Sequence, residues 1–171
     1  MNNQTRFQGK PVELAGKFIT PGAAAPDFAL TRGDLSSFTL ADGGGKKLLL
    51  NIFPSIDTPV CSMSVRKFNE AAAALKDALV LCISRDLPFA QSRFCGAEGI
   101  DRVVTLSDFQ YSSTFGIDYG VLMEDGPLRG LFARSVVVIG SDGRVAYSQL
   151  VDDIVHEPDY EQALKALNDA L

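Results

Sequence analysis

The sequence predicts an α/β fold carried by one domain over residues 1–171, with N-terminal β-hairpins, a central mixed sheet flanked by helices, and a strand pair closed by a helix. Three observations predict it. Two near-continuous apolar runs of strand length, Lys47–Phe53 and Ala78–Ser84, bracket a segment whose apolar residues recur at helical spacing. Turn formers break the first 45 residues into short pieces. A Gly-Ser-Asp-Gly turn at 140–143 then separates two further apolar runs ahead of an amphipathic tail.

In chain order, residues 1–45 hold short apolar pieces punctuated by Lys10-Pro11, Gly16, Pro21-Gly22, Pro26-Asp27, Gly33-Asp34 and Gly43-Gly44-Gly45, the pattern of hairpins. Lys47–Phe53 reads as a strand covered on both faces, hence central. From Cys61 onward, Val65, Phe68, Ala72, Leu75 and Leu79 draw one apolar stripe along a helix. Ala78–Ser84 is a second buried strand, and the right-handed crossover rule makes it a parallel neighbour or near-neighbour of the first. Pro88–Cys95 fits a short helix with Pro88 in its first turn and Gly96 just past its end. Val103–Leu106 is a short strand, and Phe109–Tyr119 a helix of poor propensity. Ser135–Ile139 and Arg144–Val151 form a hairpin across the 140–143 turn. Asp159–Leu171 ends the chain as a helix that turns Tyr160, Leu164, Leu167 and Leu171 inward.

Composition narrows the function. The net charge is −5 and no Lys/Arg block occurs, so the electrostatic footprint of a nucleic-acid binder is missing. No stretch approaches the ~18 apolar residues of a membrane span, and Met1–Arg6 has no apolar h-region, which predicts a cytoplasmic protein that binds neither nucleic acid nor membrane. Three cysteines are too few and too odd in number for a secreted disulfide framework. Together with one histidine at these spacings they do not make a zinc site, so no metal and no cofactor is expected. Gly43-Gly44-Gly45-Lys46-Lys47 precedes a strand and lacks the Gly-Lys-Ser/Thr ending of a phosphate loop.

Cys61 is the residue that carries chemistry. It stands behind an apolar run and at the head of a helical pattern, where exposed backbone N–H groups and the helix dipole favour an anion. A free thiol, with a pKa of ~8.5, is mostly protonated at neutral pH, so a cysteine nucleophile needs such help. Thr58, three residues upstream, offers a hydroxyl that can accept or donate a hydrogen bond, or serve as a helix cap. Read from local context alone, Cys61 also fits an inert core position, Cys95 a helix-end core residue, and Arg134 an edge-strand partner of a carboxylate. Cys82, inside Leu-Val-Leu-Cys-Ile, reads as strand core. His156 is the only histidine and sits in an acidic tail, which argues against a Cys-His hydrolase.

A strand-helix-strand unit with a helix-start cysteine, followed by an antiparallel ββα end, resembles the thioredoxin-like fold. Pro54-x-x-x-Thr58-x-x-Cys61 is similar to the peroxiredoxin active-site signature, and Asn51–Cys61 resembles the bacterial thiol peroxidase branch of that family. Leu87–Gly96, Ala133–Ile139 and Glu157–Tyr160 match the same branch, and the likeness runs from about Phe7 to the C-terminus. The resemblance implies an atypical two-cysteine peroxiredoxin, with Cys61 peroxidatic, Cys95 resolving, Thr58 and Arg134 at the family's other active-site positions, and Pro54 as the shielding proline. It also implies hydroperoxide substrates, organic ones included, an intrachain Cys61–Cys95 disulfide, thioredoxin as reductant and a homodimer. Attack on peroxide leaves a sulfenic acid that a second thiol condenses to a disulfide. Because a disulfide needs Cα atoms roughly 4.4–6.8 Å apart, local unwinding is expected before closure, eased by Gly96 and Gly99. The runner-up reading is a peroxide sensor or redox relay that passes the oxidation to a partner protein. A disulfide oxidoreductase of the thioredoxin class is disfavoured by the lack of Cys-x-x-Cys.

Overall fold

The computed structural model describes residues 3–171. The chain opens with a hairpin, β1 (Gln4–Phe7) and β2 (Lys10–Glu13), whose Gln8-Gly9 turn uses positive φ at both residues. A second antiparallel pair follows, β3 (Ala29–Arg32) and β4 (Ser37–Thr39), and a 3₁₀ turn at Leu40–Gly43 leads into β5 (Lys47–Ile52). Then come α1 (Pro59–Ala72), β6 (Ala78–Ser84), α2 (Pro88–Glu98), β7 (Val104–Ser107), the short α3 (Phe115–Asp118), β8 (Ser135–Ile139), β9 (Val145–Leu150) and α4 (Tyr160–Asp169).

Seven strands form one mixed sheet in the order β4-β3-β7-β6-β5-β8-β9. β5, β6 and β7 run parallel, as the crossover rule requires of strands joined by α1 and α2, whereas β3, β8 and β9 add antiparallel pairings. β5 is central, and its alternation sends Leu49 to one face and Leu48, Leu50 and Ile52 to the other. On the first face Leu49, Cys82, Val136 and Val138 pack beneath Val65 and Phe68 of α1 and Ala163 and Leu167 of α4. On the second, the sheet meets Phe28, Phe115, Tyr119 and Phe132, with Phe115 and Tyr119 stacked at 4.5 Å between ring centroids. Burying one such side chain stabilises the fold by about 1.5–3 kcal/mol. The helix-flanked mixed sheet and N-terminal hairpin are those the sequence predicts.

Several boundaries differ from expectation, each for a local reason. α1 begins at Pro59, whose fixed φ suits the first helical position, so Cys61 is third in the helix. It ends at Ala72, and Leu79 belongs to β6, because the chain turns back through Asp77 at φ 56°. α2 runs through Gly96 to Glu98 and stops at Gly99, whose left-handed φ of 65° lets the Ile100 N–H reach the Cys95 carbonyl. Only Phe115–Asp118 of the expected 109–119 helix forms, the preceding residues making turns. In α4, Asp159 caps the first turn by accepting from the Gln162 N–H at 3.0 Å, while Leu171 lies beyond the helix and is 84 % exposed. No helix among the described residues is long and apolar enough to cross a membrane.

Candidate active site

Local sequence sets the position of Cys61. β5 ends at Ile52, buried Pro54 prevents the strand from continuing, and Ser55–Thr58 turn the chain so that α1 starts at Pro59. Cys61 is fully buried, in the first turn, where helix N–H groups lack intrahelical acceptors. That turn is held from below. The Ser64 hydroxyl donates to the Cys61 carbonyl at 2.7 Å and accepts from Asn51 Nδ2 at 3.1 Å, which ties the helix to β5.

Arg134 meets the sulfur. Its Nη2 donates to Cys61 Sγ at 3.3 Å, and Nε and Nη2 also donate to the Ile154 carbonyl at 3.0 and 2.8 Å. Strand pairing brings this about. β8 lies antiparallel to β5 with Ser135 opposite Ile52, so the residue before β8 falls beside the chain leaving β5. Arg134 is only 2 % exposed, and Nη1 has no hydrogen-bond partner among the described residues. A buried guanidinium with a carbonyl clamp on one edge and a sulfur on another leaves N–H capacity for an additional acceptor.

Thr58 is exposed and occupies the N-cap position without capping through its side chain. Its hydroxyl donates to the Ser55 carbonyl at 2.9 Å, so the proton is committed and the oxygen keeps its acceptor capacity. Pro54, Thr58, Val60 and Arg134 line a cavity of about 170 Å³ whose outer wall is Phe7, Leu128, Ile154 and Val155. Cys61 does not line it but is flanked by residues that do. A larger hollow of about 410 Å³ between Asp27–Ala29 and residues 110–115 is lined by none of the predicted site residues.

The structure therefore brings Pro54, Thr58, Cys61 and Arg134 together, whereas Cys95 stands apart as a half-buried free thiol on α2. Burial pushes the Cys95 thiol up, partly opposed by a hydrogen bond with Thr105. α2 is held to α1 and to the turn before it by contacts along its outer side. Arg66 pairs with Glu98 at 2.9 Å and lies over the Phe94 ring, and Arg93 pairs with Asp57 at 3.1 Å. Cys82 is fully buried in β6, and desolvation pushes its thiol up to about 12, against a weak opposing contact from Asn51.

Sequence reading missed the groups that support these side chains. The Ile154 carbonyl carries no sequence signal. Asp86, by contrast, follows a buried strand as part of Ser84-x-Asp86, and accepts from the Ile56 N–H at 2.7 Å and the Ser55 hydroxyl at 2.8 Å. A carboxylate immediately after a strand that abuts an active-site loop is a detectable hint.

Comparison with known proteins supplies an independent line. The redoxin family profile matches residues 20–164. The chain is 53% identical to a thiol peroxidase of Corynebacterium glutamicum over 165 residues, 96% of this chain and 99% of that protein. It is 54% identical over 164 residues to a thiol peroxidase of Mycobacterium tuberculosis, covering 96% and 98% of the two chains. Among solved structures, a peroxiredoxin-like protein from Aquifex aeolicus superimposes with a TM-score of 0.93 at 36% identity, over 100% of this chain and 99% of that one.

Proposed function

The chain belongs to the redoxin family and is a thiol peroxidase of peroxiredoxin type, and we propose that it reduces hydrogen peroxide and organic hydroperoxides through Cys61, with Cys95 as resolving thiol and thioredoxin as reductant. The observation that carries this reading is the Arg134 Nη2 contact with Cys61 Sγ at 3.3 Å beside an apolar cavity. The guanidinium stabilises the sulfur anion, which is the attacking species.

Peroxide enters with its O–O bond toward the buried sulfur. The thiolate attacks the terminal oxygen, the S–O bond forms as O–O breaks, and Cys61 becomes a sulfenic acid. The departing alkoxide or hydroxide takes a proton from solvent and leaves as alcohol or water. Arg134 Nη1, buried and unpartnered, supplies the donor that stabilises this developing charge. Thr58, whose own proton is held by the Ser55 carbonyl, accepts from the O–H of the transferring oxygen. Phe7, Leu128, Ile154 and Val155 give an organic substituent an apolar wall.

The Cys95 thiolate then attacks the sulfenic sulfur and expels hydroxide, leaving the Cys61–Cys95 disulfide. Cys61 is fully enclosed in α1 and Cys95 lies on a separate helix, so α2 unwinds locally to close the bond. A dithiol must finish the cycle, and the peroxiredoxin resemblance carried by the sequence implies thioredoxin in that role, a cytoplasmic location and a homodimer. The test is peptide mapping by mass spectrometry after one equivalent of cumene hydroperoxide, coupled to NADPH consumption with thioredoxin and its reductase. An intrachain Cys61–Cys95 bond with Cys82 free, and sustained turnover, are expected. Cys61 left as sulfenic acid or joined to another chain, with Cys95 free, would overturn the resolving assignment.

A further inference from the structure

Beneath the active-site loop runs a chain of polar groups that takes no part in the bond-making steps. Asp86 is its hub. The carboxylate accepts from the Ser55 hydroxyl at 2.8 Å, the Ile56 N–H at 2.7 Å and the Ser84 hydroxyl at 2.5 Å. Ser107 donates to the Asp86 carbonyl, which pins the residue to the end of β7. On the far side, Gln91 of α2, fully buried, donates through Nε2 to Ser84 Oγ at 3.1 Å and to the Leu106 carbonyl at 2.9 Å. Gln91 lies one helical turn before Cys95.

The near side of the chain ends at Thr58. Ser55, held through its hydroxyl by Asp86, receives the Thr58 hydroxyl and the Thr58 N–H on its carbonyl at 2.9 and 3.2 Å. The direction in which the Thr58 lone pairs face is therefore set by the orientation of the Ser55 carbonyl, and that orientation is set by the carboxylate.

We propose that Asp86 is a positioning residue for peroxide reduction: its carboxylate shapes the Ser55–Thr58 turn so that the Thr58 oxygen faces the peroxide, and through Ser84 it joins that turn to the helix bearing Cys95. This inference rests on the thiol-peroxidase reading of Cys61 and Thr58. The place calls for a planar group with acceptor capacity, because three donors converge on it: one oxygen takes the Ile56 N–H and the Ser84 hydroxyl, and the other takes the Ser55 hydroxyl. Misplacing a substrate-contacting group by about 1 Å costs up to ~100-fold in rate. Loss of the hub therefore acts on the peroxide step through Thr58.

The experiment is stopped-flow oxidation of reduced protein by cumene hydroperoxide, alongside alkylation of Cys61 by iodoacetamide, which needs no hydrogen bond from Thr58. Asp86→Ala is expected to slow the peroxide reaction by about 10- to 100-fold, while alkylation stays within about threefold of wild type. Asp86→Asn recovers most of the rate, because its oxygen can serve Ile56 and Ser84 while its amide donates to a reversed Ser55 hydroxyl. Combining Asp86→Ala with Thr58→Val adds little to Thr58→Val alone, the signature of one residue acting through the other. Equal losses in peroxide reaction and alkylation, additive effects in the double variant, or a wild-type rate in Asp86→Ala would each overturn the proposal. Should Asp86→Ala fail to fold, Ser55→Ala, which removes one arm of the hub, is judged by the same three criteria with a several-fold loss expected. An unreactive wild-type Cys61 would instead sink the peroxidase reading itself, a different result from an unaltered rate in the variant.

Discussion

The two helices that carry the predicted redox cysteines are built to different standards. α1 buries Cys61, Ser64, Val65, Phe68 and Asn69, and its first turn is fixed by Ser64 and Asn51. α2 buries only Pro88 and Gln91, both in its first half. Its second half, with Cys95, is held by a partly buried Phe94 and by ion pairs on the surface, Arg93 with Asp57 and Arg66 with Glu98. Exposed pairs of this kind contribute little individually. The difference teaches where the cycle needs rigidity. In the cycle proposed above, peroxide reduction demands a sulfur, a guanidinium and a hydroxyl in fixed relation, whereas resolution by Cys95 would demand that a second sulfur leave its place. One helix is anchored through its core face, and the other is fastened along an edge that can open.

Substitutions can break that contrast at either end. The largest effect is expected from Cys61→Ser, which removes the nucleophile and lowers the peroxide-reduction rate by at least about a thousandfold in a coupled assay, with the melting temperature little changed. Residual fast turnover would transfer the chemistry to another cysteine. Cys95→Ser should separate the two helices functionally: stopped-flow oxidation of Cys61 stays within about twofold, while thioredoxin-supported turnover disappears and a dimedone adduct accumulates at Cys61. Unimpaired turnover in that variant would show that α2 has no part in resolution.

A smaller, sharper effect is expected when the edge is loosened. Arg93→Ala combined with Glu98→Ala should speed disulfide formation after oxidation by about two- to fivefold and speed amide exchange in α2 but not α1. Added salt should reproduce part of this in the wild type. An unchanged resolution rate would mean that the apolar contacts of Phe94 alone hold the helix. Because burial raises the Cys95 thiol, the folded helix keeps it protonated to higher pH, so disulfide formation in wild type should accelerate as pH rises from 7 to 9.

The smallest functional effect belongs to Cys82→Ala, which should leave the peroxidase rate within about twofold yet alter the pH dependence of stability. Burial raises the Cys82 thiol well above its ordinary value, to about 12, so the folded state retains a proton that the unfolded chain loses. Its contribution to stability is complete below about pH 9 and declines as pH rises toward 12. Urea melts between pH 8 and 10.5 should show wild type losing stability more steeply than Cys82→Ala. Parallel slopes would remove Cys82 from the account.

The strands and main helices are legible in the sequence because their signals are local. Lys47–Phe53 and Ala78–Ser84 are apolar without alternation since both faces of β5 and β6 are covered, and Asp159 announces α4 through a cap only three residues long. Ends were less legible where a glycine rather than a cysteine decides them, as when α2 continues past Cys95 to Gly99. Of the 109–119 segment only Phe115–Asp118 is helical, because the Ser112-Ser113-Thr114 stretch ahead of it has the poor helix propensity that the sequence shows and the chain instead turns at Tyr111-Ser112.

For the site, the sequence by itself determined that a thiol would head a helix after a buried strand, with a hydroxyl one turn before it. These are nearest-neighbour relations along the chain, fixed by strand length, Pro54 and Pro59. Only the tertiary structure decided that Arg134 would meet Cys61, that Cys95 would stand apart on α2, and that Asp86 would hold the Ser55–Thr58 turn. Each of those depends on strand register and helix packing, in which residues 30 to 73 positions apart are joined by pairings that no local periodicity encodes.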